Sequence, residues 1–257
     1  MSDWNSDQYL KFADERTQPA VDLVNRITVD APRRILDVGC GPGNSTGVLA
    51  RRFPNAYILG IDNSANMIDK AKHDCPNLNF MLCDVGSELD KLDKHFDIVF
   101  SNACIQWIPD HRQLIGNMMG LLADGGVLAV QMPYNLDEPV HKAIRNVSSS
   151  RKWAEKFTLP RVFHQLKQDE YYDLLSDIST GFFIWQTTYF HTMKSHDDIV
   201  EWYRGTGLRP YLSTLSEDDR AAFERDFYTQ IFEAYPARKN GGIIFRFPRL
   251  FFTATPL

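Results

Sequence analysis

The sequence predicts an α/β fold: a doubly wound, mostly parallel sheet with a helical lid supplied by its second half. Three observations carry that prediction. In the first half, short apolar runs without polar alternation recur between helical stretches. Such runs suit parallel strands covered on both faces, and their alternation with helices gives βαβ units. The runs end in small or polar residues, at Asp37-to-Gly43, Asp62, Asp84-Val85 and Ser101-Asn102-Ala103. Ligands of open parallel sheets sit beyond those carboxyl ends. The second half changes character, with aromatic and charged helical stretches around two late strand candidates.

Taken in order, RRILDVG (33–39) reads as the first strand. NSTGVLARRF (44–53) follows as a helix, with Pro54 just past its end. AYILGID (56–62) is the second strand, and Ser64 can cap the helix SANMIDKAK. LNFMLCD (78–84) and FDIVFSN (96–102) are the third and fourth strands. A helical pattern between Asp110 and Ala123 carries Leu114, Met118, Leu121 and Leu122, and GGVLAVQMP (125–133) is the fifth strand. Residues 138–177 and 195–235 read as mainly helical. Between them GFFIWQTTYF (181–190) is a β-branched and aromatic strand candidate. IIFRFPRLFFTA (243–254) is the last, where Pro248 implies an edge, a bulge or a break. The expected organisation is a single domain over 1–257. Within it, 31–135 is the binding core, 136–180 and 195–240 form the lid, and 181–190 and 243–254 are terminal strands.

Composition removes several classes. A net charge of −5 argues against a general nucleic-acid binder, which carries a basic face, but leaves room for a local basic pocket. No run approaches the roughly 18 apolar residues of a membrane span. The polar, acidic start MSDWNSDQYLKFADER is unlike a secretory signal. Cys40, Cys75, Cys83 and Cys104 form no CxxC pair, so free thiols in a reducing cytoplasm are expected, with no metal site.

The sharpest feature is Asp37-Val-Gly39-Cys-Gly41-Pro-Gly43-Asn44. Glycines admit positive φ and a close approach of backbone to ligand. The loop feeds a helix N-terminus, whose N–H groups attract negative charge. A dinucleotide site would place its third glycine one position later, at Asn44. Asp62, 19 residues after Gly43, can accept both hydroxyls of a ribose or cap the helix that follows.

The D-x-G-x-G-x-G form resembles motif I of class I S-adenosylmethionine-dependent methyltransferases, whose sheet is Rossmann-like. Further segments resemble the trans-aconitate methyltransferase family: Trp4 through Ala20, ILDVGCGPGNST (35–46), GIDNSANMI (60–68), SNACIQWIPDH (101–111), GGVLAVQMPYN (125–135), TGLRPYL (206–212) and FPRLFFTA (247–254). They span nearly the whole chain in order, while 145–170 matches poorly. The resemblance implies S-adenosyl-L-methionine as cofactor and S-adenosyl-L-homocysteine as product. Asp37, Gly39, Gly41, Gly43, Asn44 and Asn63 would bind the cofactor, with Asp62 taking both ribose hydroxyls. Asp84 would meet the adenine amino group, with Val85 and Met67 against the ring; a turn cap for Asp84 and core packing for Met67 are the plainer readings. Asn102, Ala103 and Trp107 would lie along the cofactor. Tyr9 and Arg16 would close over it, with Trp4 and Phe12 in an N-terminal clasp at 1–30. An amphipathic helix packed on the sheet edge is the alternative there.

The reaction so implied esterifies trans-aconitate or a related small polycarboxylate. A carboxylate of pKa about 4 is ionised at neutral pH, so no catalytic base is expected, only positioning. No Ser-His-Asp set, Cys-His dyad or HExxH pattern stands out. The substrate's anions call for cationic donors, and the candidates are Arg209, Arg246 and Arg249, lined by Gln106, Gln131, Tyr134, Asn135 and His191. Arg246 and Arg249 would face opposite sides of a strictly alternating strand unless Pro248 breaks the alternation. Two other readings stand beside this one. The aromatic second half suits a methyltransferase acting on an apolar acid, phenol or carbon nucleophile. A non-catalytic cofactor-binding protein would keep the same fold. Ser101-Asn102-Ala103-Cys104 lacks the Asn/Asp-Pro-Pro-aromatic motif of nucleic-acid amino methylation. A monomer or weak dimer is expected.

Overall fold

A computed structural model describes residues 13–157 and 163–257, with side chains from Thr17 onward. The chain forms the expected doubly wound sheet of seven strands, ordered β3-β2-β1-β4-β5-β7-β6. Helix α1 (Ala13–Val24) precedes β1 (Arg34–Val38), α2 (Asn44–Arg52), β2 (Tyr57–Asp62), α3 (Ala65–Asp74) and β3 (Asn79–Leu82). Then come β4 (Phe96–Asn102), α4 (His111–Met119) and β5 (Leu122–Pro133). The second half supplies α5 (Pro139–Ser148), α6 (Gln168–Ile178), β6 (Ser179–Met193), α7 (His196–Arg204), α8 (Arg209–Leu212), α9 (Glu217–Ala234) and β7 (Ile243–Pro256).

Strands β1 to β5 pair in parallel. The central ones read as unbroken apolar runs because both faces are covered: Ile35, Leu36, Val38, Ile98, Val99 and Phe100 are fully buried. Edge strand β3 buries only Phe80 and lasts four residues, leaving Asp84 two positions beyond its end. Helix α4 stops at Met119 and β5 begins at Leu122, three residues earlier than the sequence suggests. Leu121 and Leu122 fit a helical stripe and a strand equally well, and pairing decides: Leu122 lies opposite Phe96.

Strand β7 runs on through Pro248 and lies between β5 and β6, so it is no edge. Proline lacks only the donor; the Pro248 carbonyl still accepts the Tyr134 N–H at 2.9 Å. At one end of β6, Thr180 Oγ1 donates to the carbonyls of Thr255 and Pro256. Near the other end, a Cβ on Gly242 would meet Thr192 at 3.3 Å. Between them Trp185 stacks on Phe251 at 5.0 Å. Residue numbers rise along one strand as they fall along the other, so the pair is antiparallel.

The chain divides into two compact units. The first comprises 1–133, 163–187 and 250–257, and the second 134–162 and 188–249, each through its described residues. In the second, α9 packs on α5 and α7. Phe223, Phe227 and Ile231 are its buried stripe, and Phe223 meets Trp153 edge-on at 5.2 Å. Among the described residues no helix is long and apolar enough to cross a membrane, and no group of three or more His, Cys, Asp or Glu could hold a metal.

Candidate functional site

The parallel register gathers the predicted residues into one row. Val38 lies opposite Ile61 on one side and Ser101 on the other, Asp62 opposite Leu82, and Asn102 opposite Gln131. The residues that end β1, β2, β4 and β5 therefore come out at one edge of the sheet. The Gly39 and Cys40 N–H groups both bond the Ile61 carbonyl, and Ala103 N–H bonds Gln131, so the loops stay tied after the strands end.

Gly39, Gly41 and Gly43 have φ of 73°, 53° and 93°, the left-handed region that glycine enters without strain. At Gly39 the reason is also spatial, since a Cβ there would meet Cys104 Sγ at 2.2 Å. The loop is braced from outside. Asp62 Oδ2 accepts the Gly41 N–H at 3.0 Å and Oδ1 accepts the Ser64 N–H at 2.9 Å. Asp62 is half-buried, at the end of its strand beside the glycine loop, where a carboxylate can meet ribose hydroxyls.

Gly43 is the N-cap of α2 and supplies no capping side chain. The hydroxyls of Ser45 and Thr46 both donate to Asp37 Oδ2 at 2.7 Å instead. The positive end of a nine-residue helix is thereby left to attract a ligand's negative group. Asp37 is fully buried, and burial raises its carboxyl to about 6 against the pull of the two hydroxyls, with Asp62 adding repulsion. Its Oδ1 has no hydrogen-bond partner, and neither has Asn102 Oδ1 or Gln106 Oε1. Three buried acceptors without donors suit a group made of N–H donors, such as the α-ammonium of a bound amino acid. Methionine bears that ammonium and the ribose-bearing nucleoside suits Asp62, so these residues fit S-adenosylmethionine.

Met67 and Val85 are buried at 4% and 5% exposure. Asn44 and Trp107 are half-buried, and Asn63 is exposed. Trp107 packs on Phe163 at 4.9 Å. Asp84 is exposed and occupied by its own turn, where Oδ1 accepts the Gly86 N–H and Oδ2 the Ser87 hydroxyl. Burial, reinforced by Asp37 and Asp62, pushes the thiols of Cys40 and Cys104 far above their usual range. Tyr9, with Trp4 and Phe12, lies outside the described residues; Arg16 falls in α1, without a described side chain.

The second unit holds most of the proposed substrate residues. Arg249 is 3% exposed, its guanidinium 4.6 Å from the Phe247 ring centre and 5.9 Å from that of Tyr189. His191 packs among Trp202, Phe245 and Phe247. Asn135 donates to the Tyr203 hydroxyl at 3.3 Å, which also meets His141 Nε2 at 3.2 Å. Half-buried Tyr134 precedes it, and half-buried Arg209 opens α8. Arg246 is apart from this group, with a side chain 56% exposed and 3.9 Å from Glu138. Alternation holds from Ile243 to Phe247, which turns Arg246 outward; burial is then continuous to Phe252 and takes in Arg249.

Sequence reasoning missed three features. Ser45 and Thr46 were readable as hydroxyls in the first turn behind a buried acid. The meeting of Gly39 with Cys104, and a buried pair of His111 and Tyr171, join residues 65 and 60 positions apart, and no local pattern signals either.

Comparison with known proteins adds the family. A model of the methyltransferase domain matches residues 30–178. A trans-aconitate 2-methyltransferase of Methylobacterium radiotolerans is 44% identical over 99% of this chain and 98% of its own length. The structure of the YcgJ protein of Bacillus subtilis superposes with a TM-score of 0.61 at 17% identity, covering 93% of this chain and 98% of that one. Phosphoethanolamine N-methyltransferase 2 of Haemonchus contortus, solved with S-adenosyl-L-methionine, gives 0.53 at 19% identity over 93% of this chain and 53% of its own. The two solved structures speak for the fold alone.

Proposed function

The chain belongs to the class I S-adenosylmethionine-dependent methyltransferases and, within them, to the trans-aconitate methyltransferase family; from that membership we propose that it esterifies a carboxylate of trans-aconitate or a closely related small polycarboxylate. The observation that carries the reading is likeness over essentially the whole chain, 44% identity across 99% of it. Local chemistry supports it. Arg249 is 3% exposed, and a guanidinium fork held inside the protein matches the geometry of a carboxylate.

When bound, the cofactor supplies an electrophilic methyl group, which the acid's oxygen takes as the sulfur leaves with the bonding pair. The chain's part is to bind and orient. The glycine loop gives backbone approach, Asp62 takes the ribose, and Asp37, Asn102 and Gln106 offer acceptors to the ammonium. Met67 and Val85 supply apolar cover to the adenine, Asp84 stands near its amino group, and Asn63 lines the cofactor beside Asp62. Arg249, aided by Arg209, His191, Tyr134 and Asn135, holds the acid's other carboxylates. No side chain takes a proton, because the nucleophile arrives ionised. The partner is a small acid, with neither nucleic acid nor membrane involved, and the protein acts in the cytoplasm as a monomer or weak dimer.

The test is an assay with labelled S-adenosylmethionine against trans-aconitate, cis-aconitate, citrate and a fatty acid. Label released as volatile methanol by mild base identifies an ester. Trans-aconitate leading the panel in kcat/KM supports the reading. Methylation of the fatty acid alone favours the apolar-acid alternative, for which the aromatic surroundings of His191 speak. Cofactor binding with no product anywhere favours the non-catalytic one.

A further inference from the structure

Where no base is needed, orientation is what the protein contributes, and the loop after β4 is a place to lose it. Residues 103–107 carry Ala103 at φ 56°, then Gln106 and Trp107. One buried pair grips this loop. His111, 2% exposed on α4, has Nε2 2.9 Å from the Ile105 carbonyl. A carbonyl only accepts, so Nε2 carries the hydrogen and Nδ1 presents a lone pair. Tyr171 Oη on α6, 2.5 Å away, donates to that lone pair. The same hydroxyl takes the Leu166 N–H at 3.4 Å and lies 3.5 Å from Met132 Sδ near the end of β5.

Other ties converge on the same loop. The Gln106 carbonyl accepts the His164 N–H at 3.1 Å, and Gln106 Nε2 donates to the Ala103 carbonyl at 2.8 Å. The Trp107 ring packs on Phe163. Gln165 Nε2 donates to the Pro133 carbonyl at the end of β5. An imidazole and a phenol thus join the loop after β4, the end of β5 and the segment 163–166.

We propose that His111 is a positioning residue for methyl transfer, acting through Tyr171 to hold residues 103–107 in the arrangement that aligns acid and methyl donor; this rests on the function proposed above. With a neutral imidazole the Tyr171 hydroxyl donates to Nδ1; a proton on Nδ1 reverses the pair, and the hydroxyl then accepts from Nδ1 and turns its own hydrogen to Met132 Sδ. Burial lowers the His111 pKa first, the Ile105 carbonyl opposes that, His164 lowers it further and Asp110 raises it. Glu170, adjacent to Tyr171 on α6, is paired with Arg112. Burial holds the His111 pKa below its ordinary 6.5, so the imidazole is neutral at neutral pH and the polarity of the pair changes only on acidification.

The experiment uses the full chain with S-adenosylmethionine and trans-aconitate from pH 5 to 8, comparing wild type, His111→Gln and Tyr171→Phe. Tyr171→Phe is expected to lower kcat about tenfold while the KM for the cofactor stays within about twofold, since small misplacements cost rate before binding. His111→Gln is expected to abolish the acid limb of the kcat profile below pH 6.5. Wild-type kcat in both variants, or an unchanged acid limb in His111→Gln, overturns the proposal. Amide exchange of residues 103–107 with S-adenosylhomocysteine bound reads the same hub without turnover. Faster exchange in Tyr171→Phe supports the clamp and unchanged exchange overturns it, including where His111→Gln fails to fold. If the wild type leaves trans-aconitate unmethylated while that exchange effect is present, the substrate reading fails and the clamp stands.

Discussion

Asp62 Oδ2 accepts the Gly41 N–H at 3.0 Å, so the acid that ends β2 holds the turn that follows β1. The carboxylate proposed for the ribose thus also shapes the glycine turn. Asp62→Asn retains one acceptor oxygen and loses the charge. A charge-assisted bond is worth roughly 1.5–3 kcal/mol, so the Kd for S-adenosylhomocysteine should rise about ten- to a hundredfold by calorimetry. An unchanged Kd would remove Asp62 from the site.

Gly39→Ala tests the cradle from below. The new methyl would meet Cys104 Sγ at 2.2 Å, and φ 73° is strained for alanine. Strain alone costs about 1–3 kcal/mol, and the clash adds to it. Adding Cys104→Gly opens the space without relaxing φ. The double variant should therefore recover part of the lost thermal midpoint, never all of it.

Asp37 predicts a pH effect on stability. Its carboxyl rises from 3.8 to about 6 on folding, so the folded state binds more protons than the unfolded state between those values. The group's contribution thus worsens as pH climbs from 3.8 to 6, by about 3 kcal/mol in all, and stays at that level above it. Asp37→Asn keeps an oxygen for Ser45 and Thr46 and should flatten this part of the stability–pH curve. Chemical denaturation of both proteins at pH 4.5, 5.5 and 7 measures the difference. The same variant should bind S-adenosylhomocysteine more weakly, because the acceptor for the ammonium has lost its charge.

The two arginines of β7 should separate in kinetics. Arg249→Ala is expected to lower kcat/KM for trans-aconitate at least about tenfold, and Arg249→Lys should restore only part, since an ammonium lacks the guanidinium fork. Arg246→Ala removes a surface pair of the kind worth at most about 1 kcal/mol, and its kinetics should be near wild type. Equal losses in the two would contradict this assignment.

The strands were legible because burial on both faces leaves a composition that no other element of that length has, as in Ile35–Val38 and Ile98–Phe100. The cradle was legible because glycine enters the loop's positive φ values without strain. Boundaries set by pairing were less so, as Leu122 shows. Asp84 was readable as an acid at the end of a strand, but the turn two residues beyond that strand, in which both its oxygens accept bonds, was not. Arg246 and Arg249 looked like partners in a linear reading, and the pleat sends one out and the other in. His111 and Tyr171 left no trace, because a bond across 60 residues has no periodicity to betray it.

The thiols of Cys40 and Cys104 bear on a hazard peculiar to this chemistry. A thiolate is among the strongest nucleophiles a protein can offer, whereas the protonated form is sluggish. An enzyme that harbours an alkylating agent must keep its own sulfurs from intercepting the methyl. Desolvation and the neighbouring Asp37 and Asp62 act in that direction here, since both raise the thiol pKa of Cys40 and Cys104 and so favour the protonated form.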